Sequence, residues 1–174
     1  MANTFWVFGY GSLMWDAWNN GVPCLQQSVA TLARYRRVFN KKSTYNWGTR
    51  AHPCPTLNIQ LALGHEMQGM AFEFSNANRE RVTQILKKRE GDGFEFPELE
   101  IVLRCGERIH AMVPNYIGTD LFSMTNENDV VDAIKVAAGK NGSGKQYVID
   151  LAAKLQDLGI DDDTVTTLKN QLLK

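Results

Sequence analysis

Residues 4–10, Thr-Phe-Trp-Val-Phe-Gly-Tyr, are aromatic or β-branched at both alternating sets of positions, the pattern of a strand buried on two sides. That run ends in Gly9-Tyr10-Gly11-Ser12-Leu13, so the first strand delivers a glycine loop. Residues 28–40, 56–63 and 66–74 read as further strands. Gly64-His65 is the expected tight hairpin turn between the last two, and Met70, Phe72 and Phe74 alternate with Ala71 and Glu73.

From Asn76 the period changes. Val82, Ile85 and Leu86 follow helical spacing, with Ser75 or Asn76 as N-cap and Gly91 as the stop. Segments 98–105 and 107–116 alternate again as strands around a turn at Gly106, and helices are expected over about 127–138, 144–158 and from an acidic cap at 161–163 to Leu172. Strands first, one helix between them and several helices to close describe an α+β domain with a mostly antiparallel or mixed sheet. A length of 174 residues accommodates one core, so residues 1–174 are expected to form a single domain.

Charge narrows the function. Nineteen basic and nineteen acidic residues cancel, and no Lys/Arg block makes a continuous electropositive stripe, so nucleic acid is not an expected partner. The densest basic stretch, 34–42, is interleaved with Tyr35, Val38 and Phe39 and reads as a strand with one wet face. Cys24, Cys54 and Cys105 are odd in number and widely spaced, which fits reduced thiols and a cytoplasmic location. The apolar run at 5–8 is broken by glycines, lacks a basic flank and is too short for a signal or a membrane span.

Several apparent motifs lack the partners their chemistry needs. Gly139 and Gly144-Lys145 have the gap of a phosphate-binding loop, but Gln146 stands where Ser or Thr would hold magnesium and a helical pattern precedes it, so a flexible interhelical loop is expected. His52, His65 and His110 have no ligand spacing, and no metal site is expected. Ser12 lacks the second flanking glycine of a nucleophile elbow.

Two short motifs place unusual groups where a packed element ends. In Tyr10-Gly11-Ser12-Leu13, glycine lets backbone N–H groups converge on a small anion and the Ser12 hydroxyl adds a donor; a purely structural turn fits the spacing equally. In Arg89-Glu90-Gly91-Asp92-Gly93-Phe94, a helix end favours cations, which Lys87, Lys88 and Arg89 supply, whereas Glu90 sets a carboxylate beside the negative end of the same dipole. That placement, with burial against Phe94 and Phe96, favours the protonated acid and suits a general base near neutrality; a solvated glutamate in a helix-ending turn is the alternative.

Taken together, Val7-Phe8-Gly9-Tyr10-Gly11-Ser12-Leu13-Met14-Trp15, the strand Tyr35-Arg36-Arg37-Val38-Phe39, Arg89-Glu90-Gly91-Asp92-Gly93-Phe94, Gln146-Tyr147 and Leu158-Gly159-Ile160-Asp161-Asp162 resemble the γ-glutamyl cyclotransferase family, in its ChaC-like branch. The resemblance runs over nearly the whole chain. It implies an α+β fold built on a small mixed or antiparallel β-barrel with flanking helices. It also implies release of 5-oxoproline from glutathione or another γ-glutamyl amide, without cofactor or metal. Glu90 matches the catalytic glutamate, and Tyr10, Gly11, Ser12 and Leu13 match the loop that grips the glutamyl end. Arg36 or Arg37, Tyr116 and Tyr147 match pocket positions more loosely.

The chemistry agrees with that implication. A γ-glutamyl group carries its own nucleophile, because its α-amine attacks the γ-carbonyl to close a lactam, and one carboxylate can move both protons. The chain departs from the glutathione-specific pattern in one place: Ser43-Thr44-Tyr45-Asn46-Trp47-Gly48-Thr49-Arg50 replaces an Asp-His-Arg-Gly-type stretch. Action on γ-glutamylamines, or a binding module of the same fold without turnover, are therefore the alternatives.

Overall fold

The structure is a computed structural model that describes residues 3–15, 17–124 and 126–174. In chain order the elements are β1 (Thr4–Gly9), a 3-10 turn (Ser12–Met14), β2 (Gln26–Ser43), β3 (Cys54–Ser75), a second 3-10 turn (Asn76–Asn78), α1 (Arg79–Glu90), β4 (Phe94–Glu95), β5 (Glu98–Leu103), β6 (Arg108–Met112), β7 (Asn115–Tyr116), α2 (Glu127–Val136), β8 (Ala138–Gly139), β9 (Gly142–Ser143), α3 (Gly144–Asp157) and α4 (Asp163–Leu172).

Five strands close a barrel in the order β1-β3-β2-β5-β6. β1 runs antiparallel to β3, from Thr4 opposite Ser75 to Gly9 opposite Met70. It is parallel to β6, with Trp6 opposite Ala111, and this pair makes the barrel mixed. β2 meets β5 at Ala30 and Leu103, and β5 and β6 form the hairpin expected around Gly106, whose φ of 92° suits only glycine without strain.

Two sequence expectations change. No hairpin turn forms at Gly64-His65: β3 passes through both segments as one strand of 22 residues. Gly64 keeps a left-handed φ of 80° inside it, the backbone of a turn or bulge residue within a strand that continues on both sides. Residues 138–143 are not a loose interhelical loop but a two-stranded hairpin, Ala138 opposite Ser143 and Gly139 opposite Gly142. The Lys140, Asn141 and Gly144 amides donate to the carbonyls of Tyr45, Asn46 and Ala137 at 2.9, 2.8 and 2.9 Å. Amides spent on carbonyls cannot cradle a phosphate, and the structure gives a physical reason to set the nucleotide reading aside.

The chain divides into two compact units, Met1–Arg36 with Leu61–Gly118, and Arg37–Gln60 with Thr119–Lys174. In the first, Phe5, Val7, Phe8, Phe72 and Phe74 are buried, and the Trp18 ring stands edge-on to Phe72 and Phe74 at 5.5 and 5.6 Å. α1 buries Val82 and Leu86, four residues apart on one face. The 3-10 turn ahead of it is capped by Ser75, whose hydroxyl accepts from the Ala77 amide, and α1 ends where the Gly91 amide donates to the Lys87 carbonyl at φ 81°.

In the second unit three helices share a core of Val131, Ile134, Val148, Leu151, Leu155, Val165, Leu168 and Leu172. Each has a side-chain N-cap, from Asn126, Ser143 and Asp162 respectively, so the starts of these helices follow from local sequence chemistry. No helix among the described residues is long and apolar enough to cross a membrane.

Candidate active site

The first unit carries the glycine loop and the glutamate motif. β1 ends at Gly9, and the chain turns back at once: a Cβ on Gly9 would lie 2.8 Å from the Leu13 Cβ, so only glycine permits the fold-back. The first bond inside the following 3-10 turn is Met14 N–H to the Gly11 carbonyl at 2.9 Å. The Gly11, Ser12 and Leu13 amides precede that first bonded donor. Tyr10, Leu13 and Met14 are buried and anchor the loop, while Ser12 is half-buried.

Glu90 is the last residue of α1, with its side chain 19% exposed. Arg89 links it to the loop. The Arg89 Nη2 donates to Ser12 Oγ at 2.9 Å, and its Nε lies 3.6 Å from Glu90 Oε1. The two motifs, 77 residues apart at Ser12 and Arg89, therefore occupy one place in the fold. The guanidinium also offsets the repulsion that the helix's C-terminal dipole exerts on the Glu90 carboxylate, a compensation the sequence reading did not include.

The residues after Glu90 are held by Tyr116. β4 and β7 pair with Phe94 opposite Tyr116, and the two rings meet at 5.1 Å and 62°. A Cβ on Gly93 (φ 85°) would come within 2.7 Å of the Tyr116 ring, and one on Gly118 within 2.5 Å of its hydroxyl. The Tyr116 ring thus packs closely against glycine backbone at Gly93 and Gly118. Arg36 is exposed on β2.

Arg37 and Tyr147 belong to the second unit. The Arg37 side chain is fully buried and its Nη1 donates to Asp162 Oδ2 at 2.7 Å. Tyr147 is buried; its hydroxyl accepts from the Leu57 amide at 3.2 Å, and its ring meets Trp47 at 5.1 Å and Phe39 at 6.5 Å. The Trp47 side of that contact comes from the 43–50 stretch where the chain departs from the glutathione-specific pattern. Sequence reasoning grouped Arg89 with Lys87 and Lys88 as helix-end cations and missed its inward role. The signal that separates them is its place directly before Glu90, but only the fold brings Ser12 to it.

The fold is that of the γ-glutamyl cyclotransferases. A solved structure of a yeast γ-glutamyl cyclotransferase specific to glutathione superposes with a TM-score of 0.83, covering 98% of this chain and 96% of that one at 19% identity. "Gamma-glutamylcyclotransferase 2-3" of Arabidopsis thaliana is 28% identical over 96% of this chain and 87% of its own length. The "Glutathione-specific gamma-glutamylcyclotransferase" of Escherichia coli (strain K12) is 30% identical over 94% of this chain and 70% of its own. The family model described as "ChaC-like protein" matches residues 5–174, and the chain belongs to this ChaC-like family of γ-glutamyl cyclotransferases.

Proposed function

We propose that this γ-glutamyl cyclotransferase acts on glutathione, with Glu90 as the general acid/base and the Tyr10–Leu13 loop holding the glutamyl end of the substrate. The observation that carries the reading is the Arg89 bridge, 2.9 Å to Ser12 Oγ and 3.6 Å to Glu90 Oε1, which joins the Tyr10–Leu13 loop to a carboxylate. The relatives named for glutathione supply the substrate class. The family match over residues 5–174 supports treating residues 1–174 as one γ-glutamyl cyclotransferase-like domain, and three free cysteines support a cytoplasmic setting.

In this mechanism Glu90 takes a proton from the substrate α-ammonium. The freed amine attacks the γ-carbonyl carbon, forming the lactam C–N bond and a tetrahedral oxyanion. Collapse breaks the original amide bond as Glu90 returns the first proton to the leaving nitrogen; the ring nitrogen then sheds its second proton through the regenerated carboxylate to the freed amine or solvent, giving 5-oxoproline and the cysteinyl-glycine dipeptide. Nucleophile and electrophile lie in one molecule, so holding the chain folded supplies much of the acceleration, and the loop donors stabilise either the α-carboxylate or the oxyanion. Arg36, Arg37, Tyr116 and Tyr147 are proposed as further substrate-binding residues on the strength of the resemblance.

Glu90→Gln removes the proton carrier while keeping size and hydrogen-bonding shape. A loss of about 10²–10⁴-fold in 5-oxoproline release is expected, with folding intact. Turnover at the original rate would overturn the reading. The 43–50 departure favours one second reading, action on γ-glutamylamines; mass spectrometry of products from a small γ-glutamyl panel separates the two. Binding of those compounds without product would point to a module that does not turn over.

A further inference from the structure

We infer that Arg89 is a positioning residue for the reaction, setting the Ser12 hydroxyl and the Glu90 carboxylate in one fixed relation; this rests on the reading of Glu90 as proton carrier. Successive residues on a helix point away from each other, so a contact between positions 89 and 90 is not a product of helix geometry. It requires the Arg89 side chain to fold over the end of α1, where Gly91 at φ 81° releases the helix. Lys87 and Lys88 remain exposed, as ordinary helix-end cations do, whereas the Arg89 side chain is only 27% exposed.

The guanidinium is suited to this task because it is planar and rigid. Two of its nitrogens face two partners: Nη2 donates to Ser12 Oγ, and Nε lies toward Glu90 Oε1. A hydroxyl that accepts from a cation keeps its single proton for another acceptor, so Arg89 turns Ser12 into a donor aimed at an anion in the loop. The same group lies beside the Glu90 carboxylate and limits the directions it can take, which the proposed proton transfers require. Lysine at this position is a point charge on a flexible stem and cannot fix two partners at a set angle.

The test is a double-mutant cycle on the full chain, with glutathione as the substrate and unfolding midpoints measured alongside. Arg89→Met is expected to lower kcat/KM about a hundredfold, mainly through kcat, and Ser12→Ala about tenfold. The double variant is expected to lose little more than Arg89→Met alone, because both changes break one contact. Arg89→Lys is expected to recover only part of the loss. An unchanged kcat in Arg89→Met, or losses that multiply in the double variant, would overturn the inference. Should Arg89→Met fail to fold, Arg89→Lys decides: about a tenfold fall in kcat supports the role and an unchanged kcat removes it. An active Glu90→Gln sinks the underlying reading; an inactive Glu90→Gln beside a multiplicative cycle sinks this inference alone.

Discussion

Arg37 and Asp162 stand 125 residues apart in the chain and meet at 2.7 Å, the guanidinium fully buried and the carboxylate 12% exposed. The same carboxylate caps α4, its Oδ1 accepting from the Val165 amide at 3.0 Å. One side chain thus starts a helix and neutralises a strand cation.

Asp162→Ala removes both functions and strips a buried guanidinium of this counter-ion. About 3–5 kcal/mol of stability should be lost, of which the cap accounts for about 1 kcal/mol. Asp162→Asn keeps an acceptor for Val165 and should lose less. Arg37→Met leaves no buried cation behind and should also cost less than Asp162→Ala. Urea unfolding of the three variants gives the order, and equal losses in all three would contradict the account.

Gly69 sets the position of the loop from behind. A Cβ there would fall 2.4 Å from the Gly9 carbonyl oxygen and 2.7 Å from the Phe8 ring. Gly69→Ala must displace the end of β1, and with it the Tyr10–Leu13 loop, at a cost of about 1–3 kcal/mol and, for a shift near 1 Å, about a hundredfold in turnover. Gly106→Ala serves as the control, since its φ of 92° is strained but nothing lies within 4 Å. It should lose stability while each folded molecule keeps its activity. Kinetics normalised to the folded fraction check the pair.

Cys54 gives the fold an alkaline limit. Burial pushes its thiol from 9.0 up to about 12. Below about pH 9 the folded and unfolded chains both keep the proton, and the contribution to stability is complete. As the pH rises from 9.0 toward about 12 the unfolded chain gives up the proton first, so this stability is progressively lost. Cys54→Ala should flatten the slope of unfolding free energy against pH in that window. Superimposable slopes for the two proteins would rule the thiol out as the cause.

What the sequence made legible were features with local causes. Ser75, Gly91, Gly106 and Asp162 act within a few residues of themselves, through caps and left-handed turns, and the elements they bound lie close to where their spacing puts them. The misreadings share the opposite property. Gly64 has the backbone of a turn residue, yet it lies inside a 22-residue strand that is one of five in a closed barrel, a setting its local sequence does not signal. The 138–143 segment has the composition of a loose loop, yet it is fixed by carbonyls at Tyr45 and Asn46, almost a hundred residues earlier. The candidate site divides in the same way. Motif order pointed to the loop and to Glu90, whereas the pairing of Arg89 with Ser12 and of Arg37 with Asp162 exists only once distant segments are folded together.

The bond from Arg89 to Ser12 also bears on how such a chain can be recombined. A crossover between residues 15 and 89 would marry the loop of one parent to the helix end of another. If either parent spaces the two differently, the hybrid inherits both signatures and neither working partnership. Grafts onto other barrels should therefore carry the serine turn and the arginine-glutamate step as a single cassette, however many residues separate them.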